Sequence, residues 1–244
     1  MTKVIVTGAA GHMGKIVERL VNEASDMEVA ARVSPSGNDG TLQHLEDYTG
    51  EADLVIDFSH HAGTKELMDY CTAHKVSAVV ATTGQTDEEK EMIRKAAEQI
   101  PVFYSANMSV GVAFLTKIVK LAAQVFPDAD VEIVEAHHNR KLDAPSGTAL
   151  MLADAVKEVR PDAEYHCGRS GHCKREKNEI GISSIRMGNV VGEHEVFFNT
   201  GSQTIKLQHS AHDRALFAEG ALDAARFLLK QKAGLYGMDD LMAE

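Results

Sequence analysis

Val4-Ile5-Val6-Thr7-Gly8-Ala9-Ala10-Gly11-His12-Met13-Gly14 opens the chain with an apolar run that passes directly into regularly spaced glycines. Residues 3–7 read as a strand, residues 12–24 as a helix, and Met27-Glu28-Val29-Ala30-Ala31-Arg32-Val33 as a second strand, which makes a βαβ start. At such a strand-to-helix turn a dinucleotide pyrophosphate docks against backbone N–H groups and the positive end of the helix. Gly8, Ala9, Ala10, Gly11, His12 and Met13 are therefore candidate cofactor-binding residues, with Ala10 in place of the fingerprint's middle glycine. A P-loop is excluded because Ile16 follows Lys15 where a Ser or Thr is required.

Further along, Asp53–Phe58, Val76–Ala81 and Pro101–Tyr104 read as strands, separated by helices through Leu67 and Cys71 and over Asp87–Gln99. Strands alternating with helices imply a doubly wound parallel sheet. Ligands of such sheets bind at the carboxyl edge. The loops there carry Asp57-Phe58-Ser59-His60, Ala81-Thr82-Thr83-Gly84 and Ser105-Ala106-Asn107-Met108-Ser109. They are small and polar, as a nicotinamide-ribose wall requires, and serve equally as plain turns. The second strand ends Arg32-Val33-Ser34-Pro35-Ser36-Gly37, without the carboxylate that NAD-specific domains set against the ribose 2′-hydroxyl. Ser34, Ser36 and Arg32 offer donors for a 2′-phosphate instead, although strand alternation leaves the aim of Arg32 open.

Beyond Val110 the pattern changes. An apolar helix over Val112–Phe126 leads into Val131-Glu132-Ile133-Val134-Glu135, and residues 161–181 are polar and aperiodic, like a mobile lid in which Arg169, Lys174 and Arg175 can approach anions. Strand-like runs follow at Ile182–Met187, His194–Phe198 and Thr204–His209, then a helix from about Arg214 to Gln231 that suits either domain. Strands that follow helices, rather than alternate with them, imply a second α+β domain with a mixed or antiparallel sheet.

The run Glu135-Ala136-His137-His138-Asn139-Arg140-Lys141-Leu142-Asp143-Ala144-Pro145-Ser146-Gly147-Thr148-Ala149 joins that domain's first strand to a helix. Pro145, Ser146 and Thr148 are helix-start residues and Gly147 leaves the backbone open, so N–H groups and the helix dipole can meet a carboxylate. Lys141 and the two histidines place mobile protons and positive charge beside it. A histidine pair at a strand end is also a common structural feature, and in an ideal strand His137 and His138 face opposite ways unless the chain bends.

A net charge of −11 argues against a nucleic-acid or membrane-surface role, because phosphate tracking needs a broad basic face. No apolar run approaches membrane-spanning length. The chain enters a strand at its start and has three scattered cysteines, so a cytoplasmic protein with reduced thiols is expected. His166-Cys167 and His172-Cys173 have none of the usual zinc spacings, and no metal is expected.

Taken together, Gly8-x-x-Gly-x-Met-Gly, Asp57-Phe58-Ser59, Ala81-Thr82-Thr83-Gly84, Ser105-Ala106-Asn107-Met108-Ser109, the Glu135–Ala149 run and Val191-Gly192-Glu193-His194-Glu195 resemble the 4-hydroxy-tetrahydrodipicolinate (dihydrodipicolinate) reductases of diaminopimelate and lysine biosynthesis. The resemblance spans essentially the whole chain. It implies a Rossmann-like cofactor domain, residues 1–108 completed by 215–244, and a substrate and tetramerisation domain over 109–214. It further implies a cytoplasmic homotetramer that uses NADPH or NADH to reduce a cyclic imine dicarboxylate with loss of water. Carried over by position, His137 is the catalytic acid/base, Lys141 the proton donor, and His138, Gly147 and Thr148 the carboxylate binders. Ser34, Ala81, Thr82, Thr83, Ser105, Ala106, Asn107 and Met108 join the glycine loop around the cofactor. NADH users of this family often carry an acidic residue at Ser34 and an arginine at Pro35, so their replacement here implies dual cofactor use. Two other readings stand beside this one: a Rossmann-type amino-acid dehydrogenase, which would not need the double carboxylate trap, and a non-catalytic NAD(P)-sensing module, which the acidic balance disfavours. A short-chain dehydrogenase is disfavoured because no tyrosine is followed four residues later by lysine.

Overall fold

A computed structural model describes residues 1–37 and 40–243. The chain divides into two compact units, Met1–Val110 with Ala215–Glu244, and Gly111–Arg214.

The first unit is a six-stranded sheet in the order β11-β5-β4-β3-β1-β2, with every paired strand parallel. Its strands are β1 (Thr2–Thr7), β2 (Met27–Val33), β3 (Leu54–Asp57), β4 (Ser77–Val80), β5 (Pro101–Tyr104) and β11 (Gly234–Tyr236). Helices α1 (His12–Glu23), α2 (Thr64–His74) and α3 (Asp87–Ala97) supply the crossovers. Strands β1, β3 and β4 are apolar through their centres because both faces are covered: Val4, Val6, Leu54, Ile56 and Val79 pack on one side, and Ile5, Val55, Ala78 and Val80 on the other. Connections leave β1 in one direction toward β2 and in the other toward β3, so the switch point lies at the carboxyl ends of β1 and β3.

Helix α6 (Ala215–Leu228) belongs to this unit, a choice that periodicity alone left open. Its small residues explain how closely it seats. A Cβ on Gly220 would lie 1.8 Å from the Met108 carbonyl oxygen, while Ala218, Ala221 and Ala225 present a smooth face around which Leu222, Phe227 and Leu228 are buried. Each large apolar side chain so covered contributes about 1.5–3 kcal/mol. Strand β11, too short to show a periodic signal, pairs its Leu235 with Val102 of β5.

The second unit holds a mixed five-stranded sheet, β10-β9-β6-β8-β7. Its members are β6 (Asp130–His137), β7 (Glu164–Cys167), β8 (Glu179–Arg186), β9 (Gly192–Asn199) and β10 (Thr204–Ala211). Helices α4 (Val110–Val125) and α5 (Gly147–Lys157) contribute Leu115, Val119, Leu152 and Val156 to its core. Facing them are Val131 and Ile133 of β6, Ile180 and Ile182 of β8, and Val196 and Phe198 of β9, alternate residues of one sheet face. On that same face, toward the carboxyl end of β6, stand Glu135 and His137. The core side of the sheet therefore turns polar at one end.

Residues 161–181 are not a structureless lid. They contain β7, paired in parallel with β8. Arg169 is bound to Glu179 and Arg175 to Glu132, so both guanidinium groups are held inside the unit rather than offered to a ligand. His166 Nε2 lies 3.7 Å from Cys173 Sγ. Among the described residues no three metal-ligating side chains gather, and no helix is long and apolar enough to cross a membrane.

Candidate active site

The nucleotide end is built from backbone. Gly8 has a φ of +71°, and a Cβ there would lie 2.3 Å from the Phe58 carbonyl oxygen. A Cβ on Gly14 would lie 2.2 Å from the Gly8 oxygen. The first glycine thus permits the tight turn and the last lets α1 pack against it, while Gly11 is only moderately crowded at 3.1 Å. Buried Asp57 pins the turn across the switch point: it accepts from Thr7 Oγ1 at 2.6 Å and from Ser59 Oγ at 2.5 Å. Ala9 is buried, and His12 is exposed at the start of α1.

The neighbouring loops gather at the same edge. Ala81 and Thr82 are buried and Thr83 is exposed. Thr82 Oγ1 is a buried hydroxyl with no hydrogen-bond partner, although the Thr82 carbonyl accepts from Gln85 at 2.8 Å. An orphaned hydroxyl at the carboxyl edge of the sheet fits a polar ligand such as a dinucleotide. Ser105 Oγ donates to the Asn107 carbonyl at 2.7 Å, and Asn107 Oδ1 accepts from the Ser109 N–H at 2.9 Å. Ala106 is thereby held outward while Met108 is buried. Ser34 is buried, with its Oγ 3.3 Å from Ser36 Oγ. Arg32 Nη1 lies 3.0 Å from Glu18, so its charge is partly answered within the protein.

In the second unit, Glu135 is fully buried and surrounded by donors. Arg186 grips it bidentately, with 2.8 Å to each oxygen, and His137 Nδ1 lies 2.6 Å from Oε2. The Ser146 N–H donates to Oε1 at 3.2 Å. Burial pushes this carboxyl upward, but hydrogen bonds from Arg186, Ser184 and His137 outweigh it and bring the pKa down to about 2. An ionised carboxylate only accepts, so the His137 proton sits on Nδ1 and its lone pair on Nε2. Burial lowers the His137 pKa despite the pull of Glu135, with Lys141 and Arg186 adding to the depression. Gly192 keeps room at the ring edge, since a Cβ there would lie 3.1 Å from Nε2.

His138 does leave the strand's alternation. β6 ends at His137, whose carbonyl accepts from the Met187 N–H, and the chain then turns with the Lys141 N–H on the His138 carbonyl. His138 Nε2 lies 3.2 Å from Arg214, and its Nδ1 is buried without a partner. Burial and the surrounding cations lower its pKa. Lys141 Nζ is 2.9 Å from Asp143, whose carboxyl that contact holds below the usual range. At the start of α5, Ser146 caps the helix by accepting from the Ala149 N–H. Gly147 has nothing within 4 Å of the place a side chain would occupy. Thr148 is half-buried in the same first turn.

Sequence reasoning missed three partners. Arg186 and His194 are remote in the chain from the residues they hold, and Glu135 reads as an ordinary strand acid until its surroundings are seen. His194 is opposite Glu135 in the sheet register. Its Nε2 is 2.9 Å from Ser146 Oγ, its ring stands edge-on to His137 at 5.2 Å, and burial lowers its pKa to about 4. Two signals were available: Glu135 and His137, two apart on a strand, share a face, and His194 lies within the Val191–Glu195 motif that carries the family resemblance.

Comparison with known proteins bears on both units. The family model "Dihydrodipicolinate reductase, N-terminus" matches residues 2–108, and its C-terminus model matches residues 111–242. A 4-hydroxy-tetrahydrodipicolinate reductase from Caldanaerobacter subterraneus subsp. tengcongensis is 45% identical over 99% of this chain and 98% of its own. One from Clostridium tetani is 40% identical over 99% and 97%. A dipicolinate-bound dihydrodipicolinate reductase from Paenisporosarcina sp. TG-14 superposes with a TM-score of 0.83 at 27% identity, covering 98% of this chain and 99% of that one.

Proposed function

The chain belongs to the dihydrodipicolinate reductase family, the NAD(P)H-dependent oxidoreductases of lysine and diaminopimelate biosynthesis, and from that premise we propose how its residues divide the reaction. The substrate is 4-hydroxy-tetrahydrodipicolinate, a cyclic imine with two carboxylates, reduced to tetrahydrodipicolinate with loss of water. A bound nicotinamide supplies the hydride. Lys141 donates the accompanying proton from its ammonium. His137 works as the acid/base through Nε2, the nitrogen left unprotonated when Nδ1 is given to Glu135. His138 and the Gly147-Thr148 backbone hold the carboxylates, supported by the open space at Gly147 and the cationic neighbours of His138. Gly8, Ala9, Ala10, Gly11, His12 and Met13 cradle the pyrophosphate. Ala81, Thr82, Thr83, Ser105, Ala106, Asn107 and Met108 wall the nicotinamide ribose.

Both cofactors are used. Ser34 neither repels a 2′-phosphate nor accepts from a 2′-hydroxyl as a carboxylate would, and Arg32, answered by Glu18, is no strong selector for NADPH. The protein works in the cytoplasm as a homotetramer. The uncovered face of the mixed sheet, which leaves Ile185 42% exposed, supports assembly there.

The observation that carries the mechanistic reading is the His137 ring held by ionised Glu135 in the same unit as the α5 start. The test is oxidation of NADPH and of NADH with the condensation product of pyruvate and aspartate semialdehyde. Turnover with both is expected. Absence of turnover overturns the reading, and a sedimentation profile without a four-subunit species overturns the assembly.

A further inference from the structure

We infer that Glu135 is a positioning residue that sets the His137 tautomer and the start of the carboxylate-binding helix through one buried charge. This rests on the proposed roles of His137 and Gly147-Thr148. Beside the Ser184 hydroxyl, three contacts on the carboxylate tie it to the rest of the site. Its Oε2 takes the His137 Nδ1 proton at 2.6 Å, which fixes both ring rotation and the nitrogen that remains basic. Its Oε1 takes the Ser146 N–H at 3.2 Å and so anchors the residue preceding Gly147. Arg186 holds both oxygens at 2.8 Å and donates its remaining reach to the Asp143 carbonyl at 2.6 Å, in the loop that carries Lys141.

The arrangement uses the geometry of both charged groups. A guanidinium fork matches a carboxylate in its plane, leaving lone pairs on the outer side of each oxygen for further donors. His137 supplies a side-chain donor, and Ser146, eleven residues beyond Glu135, supplies a backbone one. A neutral amide at position 135 would place an N–H group where the site requires an acceptor. Ser146 has a second tether, since its Oγ is 2.9 Å from His194 Nε2. The loss of Glu135 therefore disturbs His137 more than it disturbs the helix.

The groups facing His137 are Glu135 on its own strand, Lys141 from the following loop, Arg186 of β8 and His194 of β9. Of these only Glu135 is an anion and raises the His137 pKa. Glu135→Gln should therefore move the pH limb that reports His137 to lower pH. It should also cut kcat about ten- to a hundredfold and raise KM for the dicarboxylate severalfold, with KM for NAD(P)H unchanged. Glu135→Asp, which keeps the charge, should leave that limb in place and recover part of kcat. A merely structural role would lower thermal stability without moving the limb.

The first experiment is ¹⁵N spectroscopy of the unsubstituted, full-length protein, which does not depend on any variant folding. His137 should show the Nδ1–H tautomer; an Nε2–H tautomer overturns the inference. Kinetics of the parent, Glu135→Gln and Glu135→Asp follow, with melting curves for each. Parent-like kcat and an unmoved limb in Glu135→Gln overturn the inference while the parent's turnover leaves the function intact. A parent without turnover overturns the function itself, and the tautomer measurement still decides the role of Glu135 as a tether.

Discussion

The two units build their candidate sites in opposite ways. The nucleotide end of the first unit uses geometry: Gly8 and Gly14 bring backbone within 2.3 Å of where a Cβ would stand, and the carboxylate that pins the turn, Asp57, is met by neutral hydroxyls. The second unit uses charge. Glu135, Arg186, His137, Lys141 and Asp143 form linked pairs around the start of α5. A site made of backbone is sensitive to added volume and indifferent to pH; a site made of buried charge is the reverse.

Acid should separate the units most strongly. His194 is held neutral by burial, with its pKa lowered from 6.5 to about 4, so the stability this contributes is complete above pH 6.5 and is lost as pH falls toward 4. Glu135 is held ionised, lowered from 4.5 to about 2, so its contribution is complete above pH 4.5 and is lost toward pH 2. Each amounts to about 3 kcal/mol, at about 1.36 kcal/mol per tenfold change in proton affinity. Hydrogen exchange across the pH range should show the second unit opening first, and His194→Asn should remove the upper window. Equal loss of protection in both units would break the comparison.

Catalysis comes next. His137→Ala and Lys141→Ala should each lower kcat about a hundredfold, equivalent to about 2.7 kcal/mol, with NAD(P)H affinity preserved because the proposed cofactor cradle is built from the other unit's glycine turn. Near-parental turnover in both variants would remove the proposed roles. For the first unit the matching substitution is Gly14→Ala. The added methyl meets the Gly8 oxygen and Ala9 Cα, both backbone, and should cost about 2 kcal/mol of stability and weaken cofactor binding. Thermal melts and cofactor titration check it.

The smallest effect tests charge where the first unit has little. Ser34→Asp should shift preference toward NADH about tenfold, or about 1.4 kcal/mol, by adding an acceptor and a repulsive charge together. Specificity constants for both cofactors decide this. A parent that already favours NADH more than tenfold contradicts the argument from Ser34.

What could be read in advance follows the same division. The parallel sheet was legible because its strands, buried on both faces, are continuous apolar runs between glycine turns, and the Gly8–Gly14 spacing has a steric cause that any chain would share. The Glu135–Ala149 loop was legible because its residues are adjacent. Arg186 was not, since it meets Glu135 from a strand 51 residues away and register cannot be seen in a linear pattern. Residues 161–181 misled for a related reason. β7 is an edge strand of Glu-Tyr-His-Cys, half-exposed and without apolar alternation, and it forms because β8 offers it hydrogen bonds. The bend that frees His138 also depends on a distant strand, through the bond from the Met187 N–H.

The return of α6 and β11 to the first unit has a consequence for biosynthesis. Strands β1 to β5 leave the ribosome early, yet α6, which covers one face of their sheet, and β11, which pairs with β5, emerge only after the whole second unit has been made. During that interval Val4, Val6, Ile56 and Phe103 lack the cover of Ala221, Leu222 and Phe227, and the outer edge of β5 is unpaired. The second unit is continuous in the chain and needs nothing later than Arg214. The half that starts first is thus the half that finishes last, and its half-built sheet is where a nascent chain most needs protection from self-association.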